Sequence, residues 1–304
     1  MGTVVDMDGR LVRPEEAVVS IFDRGFLYGD SVYEVVRTYR QRPFELERHL
    51  RRLRCSAERL ALELPWDAER TRRELERTLE AAAGERDESD PEAAPWNRGE
   101  LSLRIIMTRG AGELGLDPAL AVGPRAIIVA SPLRGPPAAA YRDGVACRIV
   151  GVRHDAPEAP DTTAKTGAHL LNVLAVREAR AAGAHEALLL DRAGFVAEGA
   201  SSNLFAVRGG RLETPPLEAG ILAGVTRERV LELARADGLE ARERMLLPED
   251  LARADELFLT STAREILPVT TLDGRAVGSG RVGPLTTRLR ALFRSAADAG
   301  AGAR

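Results

Sequence analysis

Apolar and polar positions alternate with two periods along this chain, and the switches between them outline its elements. The stretches TVVDMDGRLV and EEAVVSIFD predict short strands around a turn. RGFLYGDSVYEVVRTYRQRPF follows, in which Gly25 and Gly29 mark tight turns before a strand carrying Val32, Val35 and Val36. Leu46, Leu50, Leu53, Ala57 and Leu60 then recur at three- and four-residue steps, which predicts a helix with one apolar stripe. A second helix is expected over 66–83. GERDESDPEAAPWNRGE reads as a solvated loop. In LSLRIIMT the period drops to two, with Leu101, Leu103, Ile105 and Met107 on one face and Ser102, Arg104, Ile106 and Thr108 on the other. RAIIVAS is a further strand.

The Pro- and Gly-rich PLRGPPAAAYRDG is the expected interdomain linker. After it come a strand (VACRIVGV), a loop (APEAPDTTAKTG) and a helix (AHLLNVLAVREARAAG). Two hairpins follow, EALLL–DRAG–FVAEG and NLFAV–RGG–RLETP. GVTRERVLELARADG is a helix bounded by Gly224 and Gly238, and ELFLTST is a strand ending in a Ser/Thr turn. The small, polar tail after Arg294 is expected to fray. Strands and helices mixed in two halves predict an α+β or α/β protein of two domains, 1–131 and 143–304, joined by the linker 132–142.

Composition narrows the function. Forty-three basic residues against 46 acidic ones give a net charge of −3, which argues against nucleic acid or an anionic membrane as partner. The polar, acidic start is no signal peptide, and no apolar run is long enough to span a bilayer, so a cytoplasmic protein is expected. Cys55 and Cys147 form no pair in sequence, and with 4 histidines and no His/Cys cluster no metal site is expected. Lys165 is the only lysine in the chain. In an arginine-rich chain it is either a chance survivor or a position where arginine would not do. Arginine keeps its charge, whereas a lysine can lose its proton and act as a nucleophilic amine.

Several segments join in one pattern: DRGFLYGDSVYEVVRTY, LERHLRRL, AKTGAHLLNVLA, EALLLDRAGFVAEGASSNLFAV, ILAGVTRERVLELA and DELFLTSTAREILPV. In this order and at these spacings they resemble the fold-type IV pyridoxal-phosphate enzymes, the class-IV aminotransferases with their D-amino-acid, branched-chain and aminodeoxychorismate lyase members. The resemblance runs from about Phe22 to Arg290. It implies an α+β fold with a small N-terminal α/β domain and a larger C-terminal pseudo-barrel domain that binds the cofactor, pyridoxal 5′-phosphate. It also implies a homodimer with a shared active site.

By that resemblance Lys165 is the Schiff-base lysine and proton carrier, and Glu198 the carboxylate for the pyridine nitrogen. Arg52 is the phosphate arginine, with Arg51 beside it as the competing assignment. Val225 and Thr226 open a helix whose free N–H groups suit an anion. Thr262, with Ser261, is a second phosphate contact, and Leu222 packs on the ring. Asn172 and Asn203 are read as supporting residues, His49 as a packing or helix-surface residue, and His169 as a candidate near the lysine.

On the substrate side, Tyr33, Arg37 and Arg104 are the candidates, and Arg109 stands at a strand end. The fifth residue after the lysine is Leu170, where branched-chain enzymes carry tyrosine, and EVVR replaces their E-G-[IM]-R. These departures favour a transaminase of D-amino acids, then L-branched-chain acids, with a 2-oxo acid acceptor. Yet TRGAGELGLDP lacks the R-x-H pair of the D-amino-acid enzymes. Aminodeoxychorismate lyase is the alternative.

Overall fold

The computed structural model describes residues 2–83, 94–153 and 164–302. Most of the two expected loops, GERDESDPEAAPWNRGE and APEAPDTTAKTG, lies outside them. The described residues form two compact units, one of residues 2–83, 95–134 and 164–169, the other of 94, 135–153 and 170–302. The chain therefore does not divide at one place. The segment 164–169, downstream of the expected linker, clusters with the first unit because its backbone pairs there.

The first unit is built on a six-stranded sheet. Its strands are β1 (Val4–Met7), β2 (Arg10–Val12), β3 (Ser31–Tyr39), β4 (Arg42–Pro43), β5 (Leu101–Thr108) and β6 (Arg125–Pro132), in the order β2-β1-β6-β5-β3-β4. Every pairing is antiparallel, so no βαβ crossover is needed. Three helices belong to this unit: α1 (Arg24–Tyr28), α2 (Leu46–Arg59) and α3 (Ala68–Ala82). The predicted stripe of α2 packs Leu50, Leu53 and Ala57 with Val32 and Val36 of β3 and Leu103 of β5. His49 and Ser56 share that buried face, which is unusual for polar groups without partners. EEAVVSIFD makes no strand. It passes through a short turn of helix, and Val18 and Ile21 are left exposed.

The second unit carries a nine-stranded mixed sheet, a curled half-barrel. Its strands are β7 (Val145–Arg153), β8 (Glu186–Leu190), β9 (Val196–Gly199), β10 (Asn203–Arg208), β11 (Arg211–Thr214), β12 (Ala241–Glu243), β13 (Glu256–Ser261), β14 (Glu265–Leu272) and β15 (Arg275–Ala276). They run β9-β8-β7-β14-β13-β10-β11-β12, with β15 on β14. The two hairpins expected from sequence are β8–β9 and β10–β11. The helices are α4 (Ala138–Asp143), α5 (Leu170–Ala181), α6 (Val225–Ala236), α7 (Pro248–Ala252) and α8 (Pro284–Gly302). No helix among the described residues is long and apolar enough to cross a membrane.

Two expectations change here. Residues 138–142 of the expected linker belong to α4, fastened by buried Tyr141, whose hydroxyl donates to the Arg264 carbonyl at 3.0 Å. The tail after Arg294 does not fray at once but continues α8. Leu289, Phe293 and Ala297 recur every fourth residue and are at most 2% exposed, so the helix is held by its buried stripe rather than by its polar end. Phe293→Ala should cost about 3–5 kcal/mol, the usual range for emptying a buried aromatic site. Urea unfolding followed by circular dichroism measures it, and a loss under about 1 kcal/mol would mean that the tail contributes little.

Candidate active site

In the first unit the site is built on β3. The segment around Lys165 lies against the start of this strand as an extra antiparallel stretch: the Tyr33 N–H donates to the Lys165 carbonyl (3.0 Å) and the Gly167 N–H to the Ser31 carbonyl (3.0 Å). The Lys165 N–H donates to Ser56 Oγ of α2 at 3.0 Å. Gly167 is required by this approach, since a Cβ there would collide with Ser31 Oγ. With its backbone held on both sides, Lys165 places Nζ 3.0 Å from the Tyr33 hydroxyl and 4.3 Å from the ring centre. Among the described residues no carboxylate pairs with it.

Tyr33 is also flanked by Arg104, whose guanidinium carbon lies 4.8 Å from the ring centre, and by the edge of His169, 5.0 Å between centroids. Arg104 is exposed on β5 and has no carboxylate partner among the described residues. Burial pushes His169 below the usual histidine range, and the charges of Lys165 and Arg104 push the same way. Arg37 is otherwise employed. It is 1% exposed, donates from Nη2 to the Trp96 carbonyl (3.1 Å) and lies over the Tyr39 ring. That employment argues against the substrate role expected of it. Arg109 likewise grips Asp30 and the carbonyls of Leu60 and Ala61.

The stripe of α2 left Arg51 and Arg52 undecided. In the structure Arg51 is exposed and Arg52 turns inward. Arg52 donates from Nε to Glu34 Oε1 (2.6 Å) and from Nη2 to Glu34 Oε2 (2.8 Å). His49 Nδ1 meets the same Oε2 at 2.7 Å, so it is more than a packing residue. Burial alone would raise the fully buried Glu34 carboxyl. The Arg52 charge, the hydrogen bonds from Arg52 and His49, and the His49 charge more than offset that and hold it at about 2. For His49, burial dominates and lowers it, against the pull of Glu34. Glu34 was missed in the sequence. The one available signal was a glutamate inside an otherwise apolar strand, followed by a helix whose buried face carries His49.

In the second unit Glu198 on β9 is half-buried. Its Oε2 accepts the Asn203 Nδ2–H (3.0 Å) and the Leu222 N–H (3.1 Å). Asn203 Nδ2 also donates to the Leu222 carbonyl at 3.0 Å, tying β10 to the turn before α6. That helix opens at Gly224, which provides no side-chain cap, and Val225 and Thr226 occupy its first turn. A Cβ at Gly224 would collide with Asn203 Oδ1. Glycine therefore serves twice here, admitting the amide that orients Glu198 and leaving the helix N-terminus open to an anion. Ser261 ends β13, paired with Glu265, and Thr262 opens the turn that leads to β14. Arg264 of that turn donates to Glu186 Oε2 (2.5 Å) and to the Ser201 carbonyl (3.1 Å), a second support that sequence reasoning missed. Asn172 donates to the Ala200 carbonyl at 2.8 Å, in keeping with a supporting role.

One unit thus fixes a lysine against its sheet, and the other, a curled mixed sheet, braces a carboxylate beside an open helix N-terminus. This fold is that of the fold-type IV aminotransferases. Residues 31–272 match the family described as amino-transferase class IV. A putative branched-chain-amino-acid aminotransferase of Methanocaldococcus jannaschii is 38% identical over 288 residues, covering 95% of this chain and 94% of that protein. A D-alanine aminotransferase of Bacillus licheniformis is 31% identical over 283 residues, 93% of each. The solved aminotransferase of Brucella abortus bound to the cofactor PLP superposes with a TM-score of 0.82 at 26% identity, over 98% of this chain and 100% of that one. The chain belongs to the class IV aminotransferase family.

Two outcomes follow from the site's internal bonding. Because the Glu34 carboxyl falls from 4.5 to about 2 on folding, its contribution to stability is complete above pH 4.5 and is lost as pH falls towards 2. The free energy of unfolding should therefore drop less steeply over that window in Glu34→Gln than in the wild type. Equal slopes would show that Glu34 is not held ionised. Gly224→Ala and Asn203→Ala should each cost about 1–3 kcal/mol. Since both break the same contact, the double variant should cost clearly less than the sum. Additive losses in urea unfolding would separate the two residues.

Proposed function

We propose that this chain is a pyridoxal 5′-phosphate-dependent transaminase, moving an amino group between an amino acid and a 2-oxo acid by a ping-pong mechanism. The observation that carries this reading is the placement of its one lysine, backbone-fixed by β3 and α2 with Nζ on the Tyr33 hydroxyl. The amine's contact is a hydroxyl rather than a carboxylate, so no ion pair has to be broken before it can reach an electrophilic carbon. The Brucella abortus relative with its bound PLP supports the choice of cofactor.

The donor set fits that group. Each unit carries donors of the kind a phosphate takes: Arg52 in the first, and in the second the open N-terminus of α6 at Val225 and Thr226, with Ser261 and Thr262 at the end of β13. Glu198 supplies an anion for a protonated ring nitrogen, and Leu222 an apolar contact. Once bound, the cofactor offers an electrophilic carbon to the amino group and a ring that draws off the electron pair left at the substrate Cα. Lys165 Nζ, in its unprotonated form, would take the proton from the substrate Cα. The Tyr33 hydroxyl keeps Nζ in reach. The Asn203 amide and the Leu222 N–H keep the Glu198 carboxylate from turning away.

Arg104 is the arginine that we assign to the substrate carboxylate, with Tyr33 beside it; Arg37 is withdrawn. The name of the Methanocaldococcus jannaschii relative favours L-branched-chain acids. D-amino acids are the second reading, favoured by Leu170 in the branched-chain tyrosine position and by the D-alanine relative. Exposed Val18, Ile21, Phe22 and Phe26, together with Leu114 and Leu116, are side chains that a second copy of the chain would cover, in keeping with a homodimer. The absence of a membrane-spanning helix among the described residues and the balanced charge agree with a cytoplasmic enzyme.

Borohydride reduction of the cofactor-loaded protein should label a single peptide, the one containing Lys165, and Lys165→Ala should take no label. Glu198→Gln should retain cofactor while slowing proton abstraction by about 10²–10⁴-fold; near-normal turnover would remove that assignment. A half-reaction screen with paired D- and L-amino acids, followed by absorbance, decides the donor. Conversion with no donor, together with pyruvate release from aminodeoxychorismate, would replace transaminase by lyase.

A further inference from the structure

We propose that Glu34, supported by His49, is the positioning residue for Arg52: a buried carboxylate that fixes the guanidinium for phosphate and so controls how tightly the cofactor's phosphate is held. This rests on the reading of Arg52 as a phosphate ligand.

Two consecutive residues of β3 serve the two sides of the sheet. Side chains alternate across a strand, so Tyr33 and Glu34 leave β3 on opposite faces. Tyr33 meets Lys165, and Glu34 meets the buried face of α2. The carboxylate is 0% exposed, a location that an ionised group tolerates only with partners of excellent geometry. It has them: the Nε and Nη2 edges of Arg52 at 2.6 and 2.8 Å and His49 Nδ1 at 2.7 Å. A fork gripped at two N–H groups cannot swing about its side-chain bonds. An arginine without that grip would give up most of its rotamer freedom when it met an anion.

Glu34 acts on Arg52 in two opposing ways. It orients the guanidinium, and it lowers the net positive charge available to an anion. A purely structural ion pair would show mainly the second effect, so removing the carboxylate would tighten phosphate binding. Preorganisation reverses the sign. The bidentate geometry, with His49 Nδ1 on the same Oε2 that accepts from Arg52 Nη2, favours orientation: His49 restrains the carboxylate that restrains Arg52. His49 is therefore a positioning residue at one remove.

The test compares cofactor forms with and without the phosphate. The full-length chain, stripped of cofactor, is titrated with pyridoxal 5′-phosphate, with pyridoxal and with inorganic phosphate as a competitor, and the ³¹P resonance of the bound cofactor is recorded. Glu34→Gln keeps the shape but replaces one acceptor oxygen with an amide that cannot accept from arginine. It should weaken pyridoxal 5′-phosphate and inorganic phosphate together, by about 10- to 100-fold, the span of one charge-assisted hydrogen bond. Pyridoxal binding should stay within about twofold, and the ³¹P resonance should move. His49→Leu should act in the same direction more weakly, and His49→Gln, which can still donate to Glu34, should restore binding. These also serve if Glu34→Gln fails to fold. Phosphate binding that is unchanged or tighter in Glu34→Gln, or a full effect in His49→Gln, overturns the proposal while leaving Arg52 as a ligand. An Arg52→Ala variant whose preference for pyridoxal 5′-phosphate over pyridoxal equals that of the wild type removes the reading of Arg52 itself, and this proposal with it.

Discussion

The arrangement of the first unit's site depends on one backbone pairing, that of residues 164–167 with the start of β3. Through it the Lys165 carbonyl and the Gly167 N–H are satisfied by Tyr33 and Ser31, and Ser56 holds the N–H of the lysine from α2. A lysine has four rotatable bonds and a strongly hydrated end. Left on a free loop it would sample a wide volume. Fixed at its Cα and met by a phenol at its tip, it is confined at both ends. The same strand then carries Glu34, so the position of the amine and the orientation of Arg52 are set by neighbouring residues of one rigid element.

The second unit solves an equivalent problem with a side-chain amide. Asn203 donates both to Glu198 and to the Leu222 carbonyl, while the Leu222 N–H donates to the same carboxylate oxygen. The amide fits there only because residue 224 has no side chain. Arg264 gives the turn after β13 a comparable anchor on Glu186 and Ser201. In each case a polar group with chemistry to offer is flanked by one whose task is to keep it still, which is how buried polar networks acquire a unique geometry.

Much of this was legible in the residues. Period-two alternation in LSLRIIMT and the 3–4 spacing from Leu46 to Leu60 report which face meets the core, and burial of those faces is what makes the elements stable. The lone lysine stood out because arginine had taken every other basic position. What stayed hidden has a common physical cause. EEAVVSIFD is apolar without a place in this chain's core, so its hydrophobicity misled a local reading. The α8 stripe was masked by its small, polar ending. Arg51 and Arg52 differ only in a rotation about the helix, which the apolar stripe did not resolve. Arg37 looked like any arginine until its burial against Trp96 and Tyr39 was visible. Glu34, His49 and Arg264 act through contacts between residues far apart in sequence, and no spacing rule encodes those.

The return of residues 164–169 to the first unit also has a consequence for how this fold can be taken apart. The unit that holds the lysine is not one continuous length of chain: its sheet ends at Pro132, and the stretch that completes the start of β3 arrives only after β7 has been laid down in the other unit. A gene cut at the Pro-rich boundary would separate the amine from the phenol it touches and leave Ser31 and Tyr33 without their backbone partners. Exchanging such units as independent cassettes would break that pairing each time. The interleaved path instead makes the two units inherit together.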